Sequence, residues 1–340
     1  MFHTRFNLPR TLSLAACALI VILLSTGVIG AGATKAQAAE AFQTWLQGVR
    51  EEAHGRGVSE ATLDAALSGI KPIPRVIELD RSQPEFKLKF DEYLNRVVTK
   101  NRIDRGRHLM REHAALLAEV SAQYGVPPRL IVALWGIETD FGRITGGFSV
   151  IAALATLAHD GRRSAFFRKE LLLALEILEQ GHIAAGEMQG SWAGAMGQSQ
   201  FMPSSFQAFA IDQNGDGQKD IWNSLPDVFG SIANYLSGSG WRADTTWGRE
   251  VRVPDGFNTT VIERKTMKRL SEWQALGVRK ADGGNLPGRD LTAMIVMVTQ
   301  KSGPPRYFVA YENFEVILKW NRSTYFALAV GTLADALGKR

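Results

Sequence analysis

Cysteine is almost absent from this chain of 340 residues, and histidine is scarce. The single cysteine, Cys17, lies in an N-terminal apolar run, so a protein that loses this run has neither a disulfide nor a thiol nucleophile. Of the six histidines only His108 and His113 are close, and five residues apart on a helix they point away from each other. Thiol chemistry and a histidine-based zinc site are therefore unsupported.

Several catalytic and ligand-binding motifs are also missing. The chain has no Gly-x-Ser-x-Gly elbow, no Walker loop and no dinucleotide fingerprint. The formal net charge is +5, but residues 1–38 contribute three basic side chains and no acid. Without them 36 basic residues stand against 34 acidic ones, and a net charge of +2 gives no argument for nucleic acid as a partner.

Residues 1–38 have the pattern of a secretory signal peptide. A basic start precedes an apolar run from Leu12 to Ile29, and Ala36-Gln37-Ala38 is a small-x-small cleavage signal. A retained membrane anchor is disfavoured because small residues and the cleavage signal directly follow the run. The lipoprotein-box letters Leu14-Ala15-Ala16-Cys17 are misplaced, since most of the apolar run comes after them. We predict an exported protein, and about 300 remaining residues are enough for a hydrophobic core.

The most informative stretch is a predicted helix from Pro127 to Gly142. Two prolines suit its first turn, and a glycine suits the position just past its end. Four residues fall at i, i+3, i+4 and i+7 and share one face: Ile131, Leu134, Trp135 and Glu138. That face is apolar except for its last member.

Glu138 is thus a candidate acid. A carboxylate on the buried stripe of a helix is desolvated, which favours the neutral form and raises its pKa. In the alternative, purely structural interpretation, Glu138 lies at the edge of the stripe, where its carboxylate reaches solvent or pairs with an arginine such as Arg143.

A second informative stretch runs from Ser191 to Phe206. Its small residues allow close approach of the backbone to a ligand, and Gln198, Ser199 and Gln200 offer neutral hydrogen-bonding groups. Neutral amides and hydroxyls beside aromatics suit a sugar. A glycine-rich loop packed under a helix is the commoner explanation of such a pattern.

The segment that starts at Asp212 resembles a calcium loop. Oxygen-bearing side chains stand at positions 1, 3 and 5, glycine at 6 and an acid at 9, but Asn223 replaces the glutamate expected at position 12. Asp227 could close a longer loop. The predicted ligands of a structural Ca²⁺ are Asp212, Asn214, Asp216, Gln218 and Asp227. The alternative is an Asx-rich turn without a metal.

The remaining pattern is mostly helical. Helices are predicted around Phe42–Val49 and Ser59–Leu67, and a capping box at Ser82-Gln83-Pro84-Glu85 predicts the start of another. One long helix is predicted to end at Gly125. Residues 245–312 instead show alternating and short apolar runs, which predict a small β-rich insertion with one helix near Thr266–Leu276.

A single desolvated glutamate with neutral polar loops and aromatics points to glycoside chemistry, in which an acid of raised pKa protonates the leaving oxygen. The chain also resembles the B-type lytic murein transglycosylases, bacterial enzymes that cut peptidoglycan between N-acetylmuramic acid (MurNAc) and N-acetylglucosamine (GlcNAc). The motifs that carry the resemblance run in family order: residues 136–143, residues 191–205, the Asp212 loop with Ile221-Trp222, Ala233-Asn234-Tyr235, and Asn321-Arg322-Ser323. They cover the chain from about Tyr93 to its end.

The resemblance implies an α+β protein that is mainly α. An N-terminal helical domain would comprise residues 39–105. A lysozyme-like catalytic core would follow at residues 106–244 and 313–340 and would contain the calcium-type loop 212–227. The β domain at residues 245–312 would interrupt this core. Glu138 would act alone, first as acid and then as base for the MurNAc 6-hydroxyl, which gives a 1,6-anhydroMurNAc end without water. The protein would be a periplasmic monomer without a catalytic cofactor. It would act on glycan strands, with other cell-wall enzymes as candidate partners.

The resemblance also assigns substrate contacts. They are Ser191, Gln200, Phe201, Tyr235, Asn321 and, less securely anchored by motif, Tyr93. Trp320 and Phe326 stand where the family often has tyrosines, which preserves stacking surface but changes hydrogen bonding. Two other function classes stay open: a muramidase-type hydrolase that uses water, and a non-catalytic peptidoglycan-binding protein.

Overall fold

The computed structural model describes residues 35–82, 88–263 and 265–339. Its helices are α1 (Lys35–Gly55), α2 (Glu60–Leu67), α3 (Pro74–Ser82), α4 (Phe90–Val97), α5 (Lys100–Glu112), α6 (Ala114–Tyr124), α7 (Pro128–Thr139), α8 (Val150–His159), α9 (Ser164–Glu179), α10 (Pro203–Phe209), α11 (Leu225–Gly238), α12 (Thr260–Glu263), α13 (Leu270–Ala275), α14 (Glu312–Trp320) and α15 (Thr324–Gly338). The strands are β1 (Phe148–Ser149), β2 (Gln189–Gly190), β3 (Gly248–Arg252), β4 (Lys268–Arg269), β5 (Arg279–Lys280), β6 (Thr292–Val298) and β7 (Arg306–Ala310). The mainly α fold with a small antiparallel sheet confirms the predicted class.

The N-terminal helices follow the predicted pattern where the structure describes them. Phe42, Leu46 and Val49 of α1 are buried, and the Ser59 side chain caps α2 by accepting a hydrogen bond from the Thr62 N–H. Nearly all of the predicted signal peptide, and most of the capping box at Ser82–Glu85, lie outside the described residues. Within the described ranges no helix is long and apolar enough to span a bilayer.

The long helix predicted to end at Gly125 is instead two helices, α5 and α6. They meet at His113, whose φ of −102° and ψ of 24° leave the helical region. The apolar spacing could not reveal this break, because each helix keeps its own buried face: α6 packs on α11, whereas α5 packs on α15. Gly125 ends α6 in the left-handed conformation, as predicted.

Helix α7 forms the centre of the molecule. It contacts α5, α6, α11 and α15, and every residue from Leu130 to Gly136 is buried. The sequence predicted one buried face on this helix, whereas the structure buries all of its faces from Leu130 to Gly136. The central part of this mostly apolar helix is buried on all sides, and its two ends are partly exposed.

The β-rich insertion is a five-stranded antiparallel sheet with strand order β4-β6-β7-β3-β5. Ala293, Ile295 and Val309 face a small core inside the insertion, whereas Met294 and Phe308 face the main helical core. This alternation is the period of two expected for a strand, and both faces of the sheet are covered. In the described part of the insertion there are two helices, α12 and α13, where the sequence predicted one.

A buried carboxylate fastens α3 to the turn between α8 and α9. Asp80 is 2% exposed, and its two oxygens accept hydrogen bonds from Arg162 Nε and Arg163 Nη2, each at 2.6 Å. The hydrogen bond from Arg162 is the main cause of a lowered pKa at Asp80, and Arg163 adds to it against the opposing effect of burial. The ion pairs thus favour the folded state when Asp80 is ionised.

We expect Asp80→Asn to lower the free energy of unfolding by about 1–3 kcal/mol at pH 7, because charged hydrogen bonds are lost. The pKa of Asp80 is lower in the folded state than in the unfolded chain, so its contribution is complete above about pH 4 and is lost as pH falls through the folded-state pKa. Urea unfolding of both proteins between pH 7 and pH 2.5 measures this difference. It should shrink with acidification; a constant difference would contradict the linkage. Glu78→Gln, at an exposed residue of the same helix paired with Arg75, is the control.

Candidate active site

Glu138 lies in the last turn of α7, half-buried, where the helix reaches the surface. Its Oε1 accepts a hydrogen bond of 2.7 Å from the indole N–H of Trp320, at the end of α14. A residue from the C-terminal part of the chain therefore orients the carboxylate of the central helix.

Asp140, two residues later, has different surroundings. It adopts a φ of 51°, in the left-handed region, and its carboxylate accepts hydrogen bonds from Arg102 and Arg143. Burial alone would raise the pKa of Asp140, but the two arginines outweigh it and hold the pKa below its usual range. Asp140 is thus an ionised structural residue, and Arg143 pairs with it.

Trp320, which donates to Glu138, packs against two other aromatic rings, those of Tyr235 and Phe201. The Trp320 ring lies 4.7 Å from the Tyr235 ring and 5.2 Å from the Phe201 ring, centroid to centroid. Phe201 is 2% exposed and Tyr235 is 8% exposed, and the Tyr235 hydroxyl donates to the Lys319 carbonyl at 2.7 Å. Burial raises the pKa of Tyr235. The rings of Phe201 and Tyr235 thus pack against the Trp320 ring.

Ser191 and Gln200 border the loop that leaves α7. Gln200 Nε2 donates to the Thr145 carbonyl at 3.0 Å, while Ser191 Oγ accepts from the Ala195 N–H at 3.0 Å. Both side chains are half-buried. The hydrogen bond to Thr145 places Gln200 beside the segment that follows α7.

Gln198 joins its own loop to α7 and to the segment at Trp222 through hydrogen bonds. Its Oε1 accepts from Trp135 Nε1 at 2.8 Å, and its Nε2 donates to the Trp222 carbonyl at 2.8 Å. Thr139 Oγ1 donates to the Gln198 carbonyl at 2.9 Å and accepts from the Gly142 N–H at 3.0 Å. The amide of Gln198, which the sequence suggested for a sugar, is thus used to hold the site together.

Gly142 is required at this junction for two reasons. Its φ of 76° is strained for any residue with a side chain, and a Cβ here would stand 2.2 Å from the Gln198 side-chain oxygen. The helix itself ends earlier than predicted, at Thr139, with Asp140 as its C-cap.

Tyr93 and Asn321 lie on neighbouring elements. The Tyr93 ring on α4 is 6.1 Å from the ring of Tyr325 on α15. Asn321 is exposed, directly after Trp320, and its Oδ1 accepts from the Ser323 N–H. The sequence analysis missed Tyr325. Phe326 is 5% exposed, whereas its neighbour Tyr325 is half-buried.

The calcium-type loop gathers three carboxylates. Each of three residues contributes one carboxylate oxygen, and the three oxygens lie within 4.8 Å of one another. The residues are Asp212, Asp216 and Asp227. Asp227 is fully buried, and burial raises its pKa although the Gln213, Asn214 and Asp220 N–H groups donate to it. Asn214 and Gln218 take part in the same turn: Asn214 Nδ2 donates to Asp216 Oδ2, and the Gln218 N–H donates to Asp216 Oδ1.

Comparison with known proteins gives consistent matches. The model of the transglycosylase SLT domain family matches residues 41–335. Membrane-bound lytic murein transglycosylase B of Escherichia coli (strain K12) is 30% identical over 296 residues, which cover 83% of this chain and 79% of the relative.

Solved structures agree with these matches. SltB3 from Pseudomonas aeruginosa, in complex with NAG-NAM-pentapeptide, has a TM-score of 0.84 and 43% identity, over 88% of this chain and 80% of that one. The Escherichia coli lytic transglycosylase Slt35 in complex with calcium has a TM-score of 0.73 and 29% identity, over 89% and 94% of the two chains.

We expect Thr139→Val to lower the free energy of unfolding by about 1–3 kcal/mol, because the Gly142 N–H and the Gln198 carbonyl lose their shared partner. Thr139 is 1% exposed, so water cannot replace the hydroxyl without rearrangement. Denaturant unfolding measures the change. Thr139→Ser keeps the hydroxyl and should retain most of the stability; equal losses in both variants would assign the effect to the methyl group instead.

Proposed function

The chain belongs to the family of lytic transglycosylases with the transglycosylase SLT domain, and we propose that it cleaves the β-1,4 bond between MurNAc and GlcNAc in peptidoglycan by intramolecular attack. The product would be a 1,6-anhydroMurNAc end, formed without water. SltB3, which shares 43% of its aligned residues with this chain, is known in complex with NAG-NAM-pentapeptide, which supports the substrate class.

The main support for this proposal is the difference in surroundings between the carboxylates of Glu138 and Asp140. Glu138 accepts a hydrogen bond from Trp320, whereas Asp140 is paired with two arginines. Hydrolases of glycosides use two carboxyl groups, one as acid and one as base or nucleophile. Asp140 is engaged by Arg102 and Arg143, which leaves it ionised and committed to structure. A mechanism with one carboxyl group fits this arrangement, because an internal hydroxyl needs no second carboxylate to position a water molecule.

In the proposed reaction Glu138 transfers its proton to the glycosidic oxygen while the bond between that oxygen and MurNAc C1 breaks. The resulting carboxylate takes the proton of the MurNAc 6-hydroxyl, whose oxygen forms the new bond to C1. Glu138 therefore ends the cycle protonated, as it began. GlcNAc leaves with a free 4-hydroxyl.

Trp320 has a defined part in this proposal. Its N–H donates to Oε1 of Glu138, so the acid is more stable when Oε1 is the carbonyl oxygen and Oε2 carries the proton. The ring is fixed by Phe201 and Tyr235, whose own exposure is small. We propose that these two residues act on the substrate chiefly by holding Trp320.

The remaining assignments form the walls of the proposed cleft. Ser191 and Gln200 would contact the sugar from the loop side, and Tyr93 and Asn321 from the side of α4 and α14. Tyr325 joins this set because its ring lies beside that of Tyr93. Neutral hydroxyl, amide and phenol groups match the hydrogen-bonding needs of N-acetylated sugars.

We also propose the domain division and the location given by the sequence. Residues 39–105 would form the N-terminal helical domain, residues 106–244 and 313–340 the catalytic core, and residues 245–312 the insertion. The signal-peptide pattern of residues 1–38 supports export to the periplasm, where the proposed substrate is found.

The loop at Asp212 is proposed to bind Ca²⁺ in a structural role. Calcium prefers oxygen ligands, and this loop brings three carboxylates together around a turn rich in oxygen-bearing groups. A bound cation would stabilise the ionised form of the fully buried Asp227 carboxylate, which burial disfavours. Slt35 is known in complex with calcium, which supports the assignment.

Mass spectrometry of peptidoglycan digested by the purified protein tests the reaction. We expect muropeptides about 18 mass units lighter than the hydrated forms, since intramolecular attack omits one water. Glu138→Gln should reduce product formation at least about 100-fold, because the amide cannot transfer the proton, while the melting temperature stays close to that of the wild type. Hydrated reducing ends would instead identify a hydrolase, and unchanged turnover in the variant would remove Glu138 from its role. No products from the wild type would favour a binding protein.

Thermal unfolding with and without Ca²⁺ tests the metal site. Saturating calcium should raise the melting temperature relative to a chelator, because at a hundredfold excess over Kd a ligand adds about 2.7 kcal/mol. Asp216→Ala should abolish the shift. Asp290→Ala is the control: the Asp290 carboxylate accepts from the Ser271 N–H and hydroxyl groups in the β-rich insertion, away from the loop, so its loss lowers stability but preserves the calcium response. Identical melting curves for the wild type would refute the site.

A further inference from the structure

Two adjoining cavities lie where the β-rich insertion joins the helical core. They measure about 200 and 210 Å³, and Thr245 lines both of them. The first includes Leu130 in the first turn of α7, and the second includes Glu312, the first residue of α14. Eight residues, about 12 Å along a helix axis, separate Leu130 from Glu138 and Glu312 from Trp320. The cavities are therefore at the opposite ends of these two helices from the proposed cleft.

The wall of the first cavity contains a tryptophan with an unused hydrogen-bond donor. Trp241 is half-buried there, and its indole Nε1 is buried without a hydrogen-bond partner in the described part of the chain. The other tryptophan of this wall, Trp247, is 2% exposed and donates its Nε1 to Asp335 Oδ2 at 3.2 Å. Of the two, Trp241 thus offers both ring surface and a free donor.

The wall of the second cavity contains a comparable group. Tyr311 is 2% exposed, and its hydroxyl forms no hydrogen bond with any described residue, although its backbone N–H donates to the Trp247 carbonyl at 3.0 Å. Within residues 35–82, 88–263 and 265–339, six buried side-chain nitrogen or oxygen atoms lack a partner, and two of them belong to these adjoining walls. Buried polar groups are normally hydrogen-bonded, so this concentration indicates a place for a polar ligand.

The charged groups of both walls are already paired within the protein. Each has an oppositely charged side chain no more than 3.7 Å away. These groups are Arg129 and Asp244 in the first cavity and Arg242, Asp290 and Glu312 in the second. An ionic ligand would compete with these pairs, whereas a neutral ligand leaves them intact. The cavities therefore favour a neutral ligand with several hydrogen-bonding groups.

We propose that the two cavities form a second binding site for neutral sugar units. The inference rests on the proposed function, since the glycan strand that the cleft would cleave is the source of these units. A pyranose ring would place its apolar face on the Trp241 ring, and its oxygens would bond the Trp241 N–H and the hydroxyls of Tyr311 and Thr245. The combined space falls in the range of about 300–1,000 Å³ typical of ligand pockets. Binding here would hold the protein on peptidoglycan while the cleft stays free to act.

The test follows the indole N–H signals of ¹⁵N-tryptophan-labelled protein by NMR during titration with a β-1,4-linked tetramer of N-acetylglucosamine. The protein carries Glu138→Gln, which prevents turnover in the proposed reaction. We expect the Trp241 signal to shift saturably, because the sugar supplies the acceptor that this N–H lacks. The Trp320 signal reports on the cleft separately. The signal of Trp45, on α1 against α2, α8 and α9, should stay unchanged.

Two variants remove one hydroxyl each from the cavity walls at nearly constant volume, Tyr311→Phe and Thr245→Val. Each should raise the Kd measured at the Trp241 signal about 3- to 10-fold, the effect of one hydrogen bond, and leave the Kd at the Trp320 signal unchanged. Tyr311→Phe should also keep the melting temperature, because its hydroxyl has no protein partner to lose. Tyr307→Phe, in the insertion but in neither wall, is the matched control and should change neither Kd.

The two signals separate this proposal from the proposed function. A shift at Trp320 without one at Trp241 would overturn the second site and leave the proposed function standing. A saturable shift at Trp241 with unchanged Kd values in both cavity variants would place the sugar elsewhere and overturn it as well. If Trp241 responds and Trp320 does not, the second site stands and sugar binding in the cleft fails. No shift at either signal would overturn both.

Discussion

The burial of α7 along its length is the constraint on which the cleft depends. Because this helix is covered on all sides from Leu130 to Gly136, its C-terminal end cannot shift without disturbing the packing of four other helices. Thr139 and Gln198 then tie that end to the loops beside it. Glu138 is therefore held by a rigid element, and the proton transfer proposed for it would need such fixed positioning.

Two carboxylates separated by one residue, Glu138 and Asp140, have different surroundings. Trp320 donates an uncharged indole N–H to the Glu138 carboxylate. Asp140 receives two guanidinium groups, which keep it charged. The left-handed conformation at Asp140 ends the helix and turns this side chain towards α5, so the backbone geometry produces the chemical difference.

The sequence predicted the parts of the molecule that depend on local pattern. Helix α7, the cap at Ser59, the turn at Gly125 and the β-rich insertion all follow from spacing, capping residues or alternation. It could not reveal contacts made over long distances in the chain. Trp320 lies 182 positions from Glu138 in sequence, and no local signal identifies it as the donor. The internal use of Gln198, the break at His113 and the position of Tyr325 likewise depend on packing partners that the pattern does not specify.

The order of the elements along the chain has a consequence for biosynthesis. The group that orients Glu138 and the helix α15 that covers α7 and α5 come after the insertion, at the end of the chain. Contacts of such long sequence separation form only when the whole chain is present. A nascent chain that still lacks α14 and α15 therefore contains Glu138 without the Trp320 contact. The contact that orients Glu138 is therefore among the last that the growing chain can form.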